Sequence, residues 1–354
     1  MNRVLAATLA LVSLLTACKG DGPAATAANA PGTAGLTKVR MATAGAASDA
    51  GLYIAMDKGY FKDQGLEIEI ATFNSGADIL ASLNSGQLDV GGGGAALGLY
   101  ELVGRGGKLR IVADKGQTPN PQWDYIALMV RKDLIDAGRV KDYGDFKGLT
   151  IAASGKGNPQ ELSLFTGLAR GGVAEKDVTY INLGYADMPA AFGNYSLDAA
   201  MVAEPFLTRI ESAKSPPAVR FEGMSQVLGR NQHGAVILFS DAFAARTDDA
   251  RRWMIAYVRG LRDYNDALTL AGRPGWEDVV KSLIAHTPVK DRQLYEQMKM
   301  AYLDPDGKLE LDYFRFELDY WVRSGQLKSN VDLSKLIDTS FQEYSVQQLG
   351  PYQR

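Results

Sequence analysis

A strand pattern, a Gly-rich turn, a helical pattern and an Asp-bearing strand follow one another twice along this chain. The first pass begins with the short β-type run Val39–Thr43 and the small-residue loop Ala44–Gly51. A helical pattern then starts at Leu52 and ends near Lys58, with Gly59 placed as a left-handed cap. Leu66–Ala71 alternates apolar and acidic residues, the mark of a half-buried strand. Ala77–Leu83 reads as a short amphipathic helix, Leu88-Asp89-Val90 leads into Gly91–Gly94, and the helix Ala95–Val103 precedes the strand Leu109–Ala113. The second pass has strands at Leu149–Ala153, Val178–Leu183 and Ala199–Val202, with helices at Pro159–Ala169 and Ala186–Asn194. Ser85-Gly86-Gln87-Leu88-Asp89-Val90 and Asn194-Tyr195-Ser196-Leu197-Asp198-Ala199 occupy matching places in the two passes. This alternation predicts layered α/β sheets. Two such halves predict a cleft, and small-molecule sites favour domain interfaces.

The halves need a crossing. Gln117–Trp123 (QTPNPQW) carries prolines that deny it helix or central strand, and Tyr125–Arg131 then reads as a buried strand. Ala235–Phe239 is a buried return strand, beyond which the chain turns helical, with Thr247–Ala271 the longest candidate. Asp304-Pro305-Asp306-Gly307 marks a turn between helical stretches. The expected organisation is 38–124 for the first part of lobe 1, 125–232 for lobe 2, and 233–354 for the return strand and helical part that completes lobe 1.

The start of the chain is a targeting device. Met1-Asn2-Arg3 is positive, and Val4–Leu15 is almost wholly apolar, too short for a spanning helix of about 20 residues. Leu15-Thr16-Ala17-Cys18 resembles the lipobox of bacterial lipoproteins, in which the thiol is acylated and the peptide is cut before it. An ordinary signal peptide with a chance cysteine is the alternative. Cys18 is the chain's single cysteine, so it has no disulfide partner, and acylation accounts for it. Residues 1–18 are thus expected to be a signal peptide with its lipidation cysteine. Residues 19–37, rich in Ala, Gly, Pro and Thr, are expected to be a flexible tether. The folded part would then sit in the periplasm, leashed to a membrane.

A net charge of −3 leaves no basic stripe for nucleic acid. Only two histidines, His233 and His286, and one cysteine argue against a zinc site, and no metal or other cofactor is expected. No Gly-x-Ser-x-Gly occurs, and no serine or cysteine is arranged around His233 as a nucleophile would be. Asp248-Asp249 lies at a helix start, where the dipole accounts for it.

Several short motifs occur in a fixed order: Leu52-Tyr53-Ile54-Ala55 through Gly59-Tyr60-Phe61-Lys62 to Gly65-Leu66-Glu67-Ile68, then Leu83–Val90, Val130-Arg131-Lys132-Asp133-Leu134, Phe146–Ile151 and Ala203-Glu204-Pro205. Together they resemble the periplasmic binding family whose members carry aliphatic sulfonates, taurine, nitrate and thiamine pyrimidine precursors. The resemblance runs from about Val39 to Tyr264. It implies a type II periplasmic binding fold, two lobes hinged to close on a solute, with an ABC permease and ATPase as partners of a monomeric carrier. Thiamine-pyrimidine synthases resemble the same family but use a histidine-rich, iron-linked site, which two histidines do not supply. A lipid-trafficking or sensor protein on this fold is a further alternative, because the loops facing the cleft are poor in charge.

Candidate ligand contacts fall on those loops. Four glycines before a helix let backbone N–H groups approach an anion, so Gly93, Gly94, Ala95 and Ala96 are candidates; tight strand–helix packing is the other reading of the run. Ser154, Gly155, Lys156, Gly157 and Asn158 have a superficial likeness to a phosphate loop but lack its spacing. The resemblance turns this loop toward the cleft; a structural turn is the alternative. Ser48 and Asp49 are the polar side chains of the first loop, and Tyr53, Asn74 and Ser75 complete the candidates of the first half. By resemblance Tyr185 offers a side chain to the ligand, and Glu204 lies at the cleft mouth, to accept from a ligand N–H or to lock the hinge. Trp123 is a stacking wall or hinge packing. The expected ligand is a small organic acid or a polar heteroaromatic.

Overall fold

In the computed structural model, residues 35–73, 76–270, 272–328 and 331–353 are described. Residues 1–34, which hold Cys18, the expected signal peptide and most of the expected tether, lie outside them, as do the candidates Asn74 and Ser75. Ten strands form two five-stranded sheets. The first holds β1 (Thr37–Thr43), β2 (Leu66–Thr72), β3 (Val90–Gly93), β4 (Leu109–Asp114) and β10 (Val236–Ser240), in the order β2-β1-β3-β10-β4. The second holds β5 (Ile126–Arg131), β6 (Thr150–Ala153), β7 (Thr179–Asn182), β8 (Ala199–Ala203) and β9 (Ala218–Gly223), in the order β7-β6-β8-β5-β9. In each sheet four strands run the same way and the fourth position is filled by an antiparallel one, β10 in the first and β5 in the second. The chain crosses between sheets twice, from β4 to β5 and from β9 to β10, so each lobe is completed by a strand on the far side of a crossing.

Burial follows position in the sheet. The β8 and β10 stretches AAMVA and VILFS, and β5 apart from Arg131, are buried along their length, as strands covered on both faces must be. The edge strand β2 alternates buried or half-buried Leu66, Ile68 and Ile70 with exposed Glu67 and Glu69. β9, whose sequence VRFE interleaves charges with apolar residues, carries no clear signal by sequence; it is the other lobe's edge, half-buried along its middle.

Five helices position the site: α1 (Ala50–Asp57), α2 (Leu97–Gly104), α3 (Pro159–Arg170), α4 (Thr247–Thr269) and α5 (Leu311–Arg323). The long helix α4 buries Trp253, Tyr257, Leu261 and Tyr264 and lies across α1. Glycine is required at that crossing, since a Cβ on Gly260 would stand 2.2 Å from the carbonyl oxygen of Gly51. No described helix is long and apolar enough to cross a membrane.

Glu204 and Asp114 fasten the crossings. Glu204, fully buried at the end of β8, accepts from the Thr208 amide and hydroxyl, each at 2.9 Å, and from the Lys299 amide at 3.3 Å. Its carbonyl accepts from Ala47 of the first lobe at 3.0 Å. Asp114, also buried, accepts from the amides of Gly116 and Asp304 and meets His233 Nδ1 at 3.2 Å. His233 Nε2 accepts from the Glu310 amide at 2.8 Å. That bond makes Nδ1 the protonated nitrogen and the ring a neutral structural tie.

Candidate functional site

β3 and β6 each end at a loop facing the other lobe, and the loops meet across a cavity of about 40 Å³. From the first lobe Ser48, Gly93, Gly94 and Ala96 line it; from the second come Ser154, Gly155, Lys156, Asn158 and Tyr185. Lys156 is exposed at the mouth. Tyr185 is buried and stacks on Phe206 at 6.4 Å. Burial pushes its phenol up to about 12, against a hydrogen bond from Ser154.

The other sequence candidates stand elsewhere. Tyr53 is buried behind the wall, near Thr43 and stacked on His286 at 4.8 Å. Trp123 is half-buried with its edge against Tyr302, packing at the crossing without reaching the cavity. Glu204 is turned into the hinge bonds described above, and Ala95 and Gly157 are outside the lining. Burial is the first cause that holds the Glu204 carboxyl up near 7, countered by its bonds from Thr208.

The helix starts are engaged differently from the expected anion cradle. α2 begins at Leu97, two residues later than its sequence pattern suggests, because Ala96 is extended as the N-cap. The Leu97 amide donates to the Gly157 carbonyl of the other lobe at 2.6 Å. At α3 the Asn158 side chain accepts from the Glu161 amide at 2.8 Å, and Glu161 accepts from the Gly157 amide at 2.9 Å. The amides of Gly94, Ala95 and Ala96 donate to no backbone carbonyl among the described residues.

The Gly91–Gly94 run is explained largely by packing. A Cβ on Gly91 would press Ile79 and Leu83, both at 2.6 Å. One on Gly92 would strike Lys115 Cε at 2.6 Å, and one on Gly94 would meet Pro159 Cδ, across the cleft, at 2.9 Å.

Sequence reasoning missed Lys115, Tyr125, Gln160 and Gly234. Lys115 follows β4, is 1% exposed and lines the cavity. Its Nζ lies 2.6 Å from Asp49 Oδ1 and 3.3 Å from Ser48 Oγ, so Asp49 stands behind the wall as its counter-ion. Gln160 lines the cavity and ties the lobes by donating to the Gly234 carbonyl at 3.1 Å. Among the described residues no acidic side chain lines the cavity. The described residues contain no cluster of three His, Cys, Asp or Glu side chains placed to hold a metal.

The family model described as NMT1/THI5 like matches residues 47–265, which span both sheets. The 4-amino-5-hydroxymethyl-2-methylpyrimidine phosphate synthase of Aspergillus parasiticus is 22% identical over 265 residues, 73% of each chain. Among solved structures, the alkanesulfonate-binding protein SsuA of Xanthomonas axonopodis pv. citri, bound to MOPS, superposes with a TM-score of 0.68 at 19% identity, covering 86% of this chain and 99% of that one. The periplasmic nitrate-binding protein NrtA of Synechocystis superposes with a TM-score of 0.71 at 14% identity, covering 89% of each chain. These likenesses give the fold as that of the periplasmic binding proteins.

Proposed function

The chain belongs to the NMT1/THI5-like family, and on that premise we propose that it is the solute-binding component of an ABC importer, capturing a small organic acid or polar heteroaromatic between its lobes. The observation that carries this reading is the cavity, walled by loops of both lobes, supplied with lysine, hydroxyl and amide donors and lined by no carboxylate among the described residues. Such a wall favours a ligand rich in acceptors. Similar folds that bind an alkanesulfonate and nitrate support the anionic class.

Binding without catalysis is part of the proposal. The synthase relative keeps an enzyme reading in view, but both histidines lie outside the cavity. His233 is held between Asp114 and the Glu310 amide, and His286 by Asp57 at 2.8 Å. We further propose export to the periplasm and acylation at Cys18, with a permease and ATPase as partners. Substitution Cys18→Ser would then remove incorporation of labelled fatty acid.

Calorimetric titration with alkanesulfonates, carboxylates, nitrate, pyrimidines and apolar lipids tests the proposal. A small acid or pyrimidine is expected to bind at one site and to stabilise the fold by mass action, about 2.7 kcal/mol at a hundredfold excess over Kd. Binding of acyl chains or sterols alone would put a lipid-trafficking role in its place.

A further inference from the structure

Beside the loop amides, the cavity wall offers a second seat for the acidic group of a ligand, with one residue from each lobe. Lys115 runs across Gly92, the position where any side chain would collide with its Cε, and ends beside Asp49 and Ser48. An ammonium has three N–H donors, and these two partners leave one for the cavity that Lys115 lines. Tyr125 lines the same cavity. It is 1% exposed; Ser48 is the polar side chain that acts on its hydroxyl, but no partner stands within hydrogen-bonding geometry of that oxygen among the described residues. A Cβ on Gly116 or Gly234 would stand 2.4 or 2.3 Å from that oxygen, so two glycines make room for it. The same Cβ on Gly116 would stand 3.1 Å from Ser48 Cβ, so the hydroxyl lies close to the Lys115–Ser48 pair. A buried hydroxyl without a partner is costly, and a ligand atom that pairs with it recovers the loss.

We propose that Lys115 and Tyr125 together seat an acidic oxygen of the ligand, the ammonium through its third N–H and the phenol through its O–H. This rests on the reading of the cleft as a solute site. Asp49 holds the ammonium in place and cancels its charge before the ligand arrives. Lys156 at the mouth then supplies the positive charge that balances the bound anion. Selectivity for an acid over a neutral analogue of the same shape is set by these two donors, Lys115 after β4 of the first sheet and Tyr125 just before β5 of the second, because each requires an acceptor.

The test compares propanesulfonate and butyrate with their neutral amides by calorimetry. Wild type is expected to bind the acids at least about tenfold more tightly than the amides. Tyr125→Phe should weaken acid binding about tenfold while leaving the melting temperature of the ligand-free protein unchanged or raised, which the loss of a structural hydrogen bond would not do. Lys115→Met alone would strand a buried carboxylate, so it is paired with Asp49→Asn; this double variant should bind acid and amide within about threefold of each other. Acid binding that survives intact in both variants overturns the proposal. Wild type that binds amides or pyrimidines but no acid overturns it while sparing the solute-binding reading; wild type that binds none of these overturns both.

Discussion

Glu317 is buried in α5, where Oε2 accepts from Tyr100 of α2 at 2.6 Å and Oε1 has no partner. Burial pushes its carboxyl up to about 8, while the Tyr100 bond pulls it the other way. Glu204 near 7 and Asp304 near 6 are raised by burial too. Each of these acids binds its proton more tightly folded than unfolded. Their stabilisation is therefore fully present below about pH 4 and is lost as the pH rises through about 6, 7 and 8. Glu317→Gln keeps an acceptor for Tyr100 and removes one titration. The melting temperature of that variant should fall less steeply than wild type between pH 5 and 9, a difference of order a few kcal/mol in stability over the range. Parallel curves for the two proteins would mean that Glu317 does not titrate as its burial requires.

At the scale of elements, the loop after β3 and the start of α3 are close enough for one side chain to hold them apart. Gly94→Val directs its Cβ at Pro159 Cδ across the cleft, a contact of 2.9 Å, without disturbing either sheet. Ligand affinity should fall by about tenfold or more, with circular dichroism unchanged and ligand-free melting lowered at most by the strain of that contact, about 1–3 kcal/mol. Undiminished affinity would show that the loops need not come this close. The strands and helices of both passes were legible because hydrophobic period and turn residues are local signals; the left-handed Gly59, φ 76°, is one. β9 was missed because an edge strand tolerates charge on alternate residues, and sequence period alone does not separate it from a loop. Lys115 was illegible for another reason. Its burial depends on Asp49, 66 positions earlier, and on a bare Gly92, and no local pattern reports that three-way meeting. Glu204 and Trp123 lie near the crossings, as their places in the sequence imply. Which way their side chains turn is decided by Thr208, Lys299 and Tyr302, residues brought close by the fold.

For the whole molecule, two sheets with the same strand order are joined by the β4–β5 and β9–β10 crossings, where a hinge between the lobes would turn. Across the cleft the lobes are joined by polar contacts, Leu97 to Gly157 and Gln160 to Gly234 among them, and by apolar packing in which Leu162 of α3 joins the first lobe's core. A solute that bonds to both walls adds to these contacts and shifts the population toward the closed arrangement by its differential affinity for it. Small-angle X-ray scattering on the protein, titrated with the tightest-binding acid of the calorimetric panel, tests this directly. The radius of gyration should decrease to a plateau that tracks site occupancy. Saturated binding with an unchanged radius of gyration would contradict capture by lobe closure.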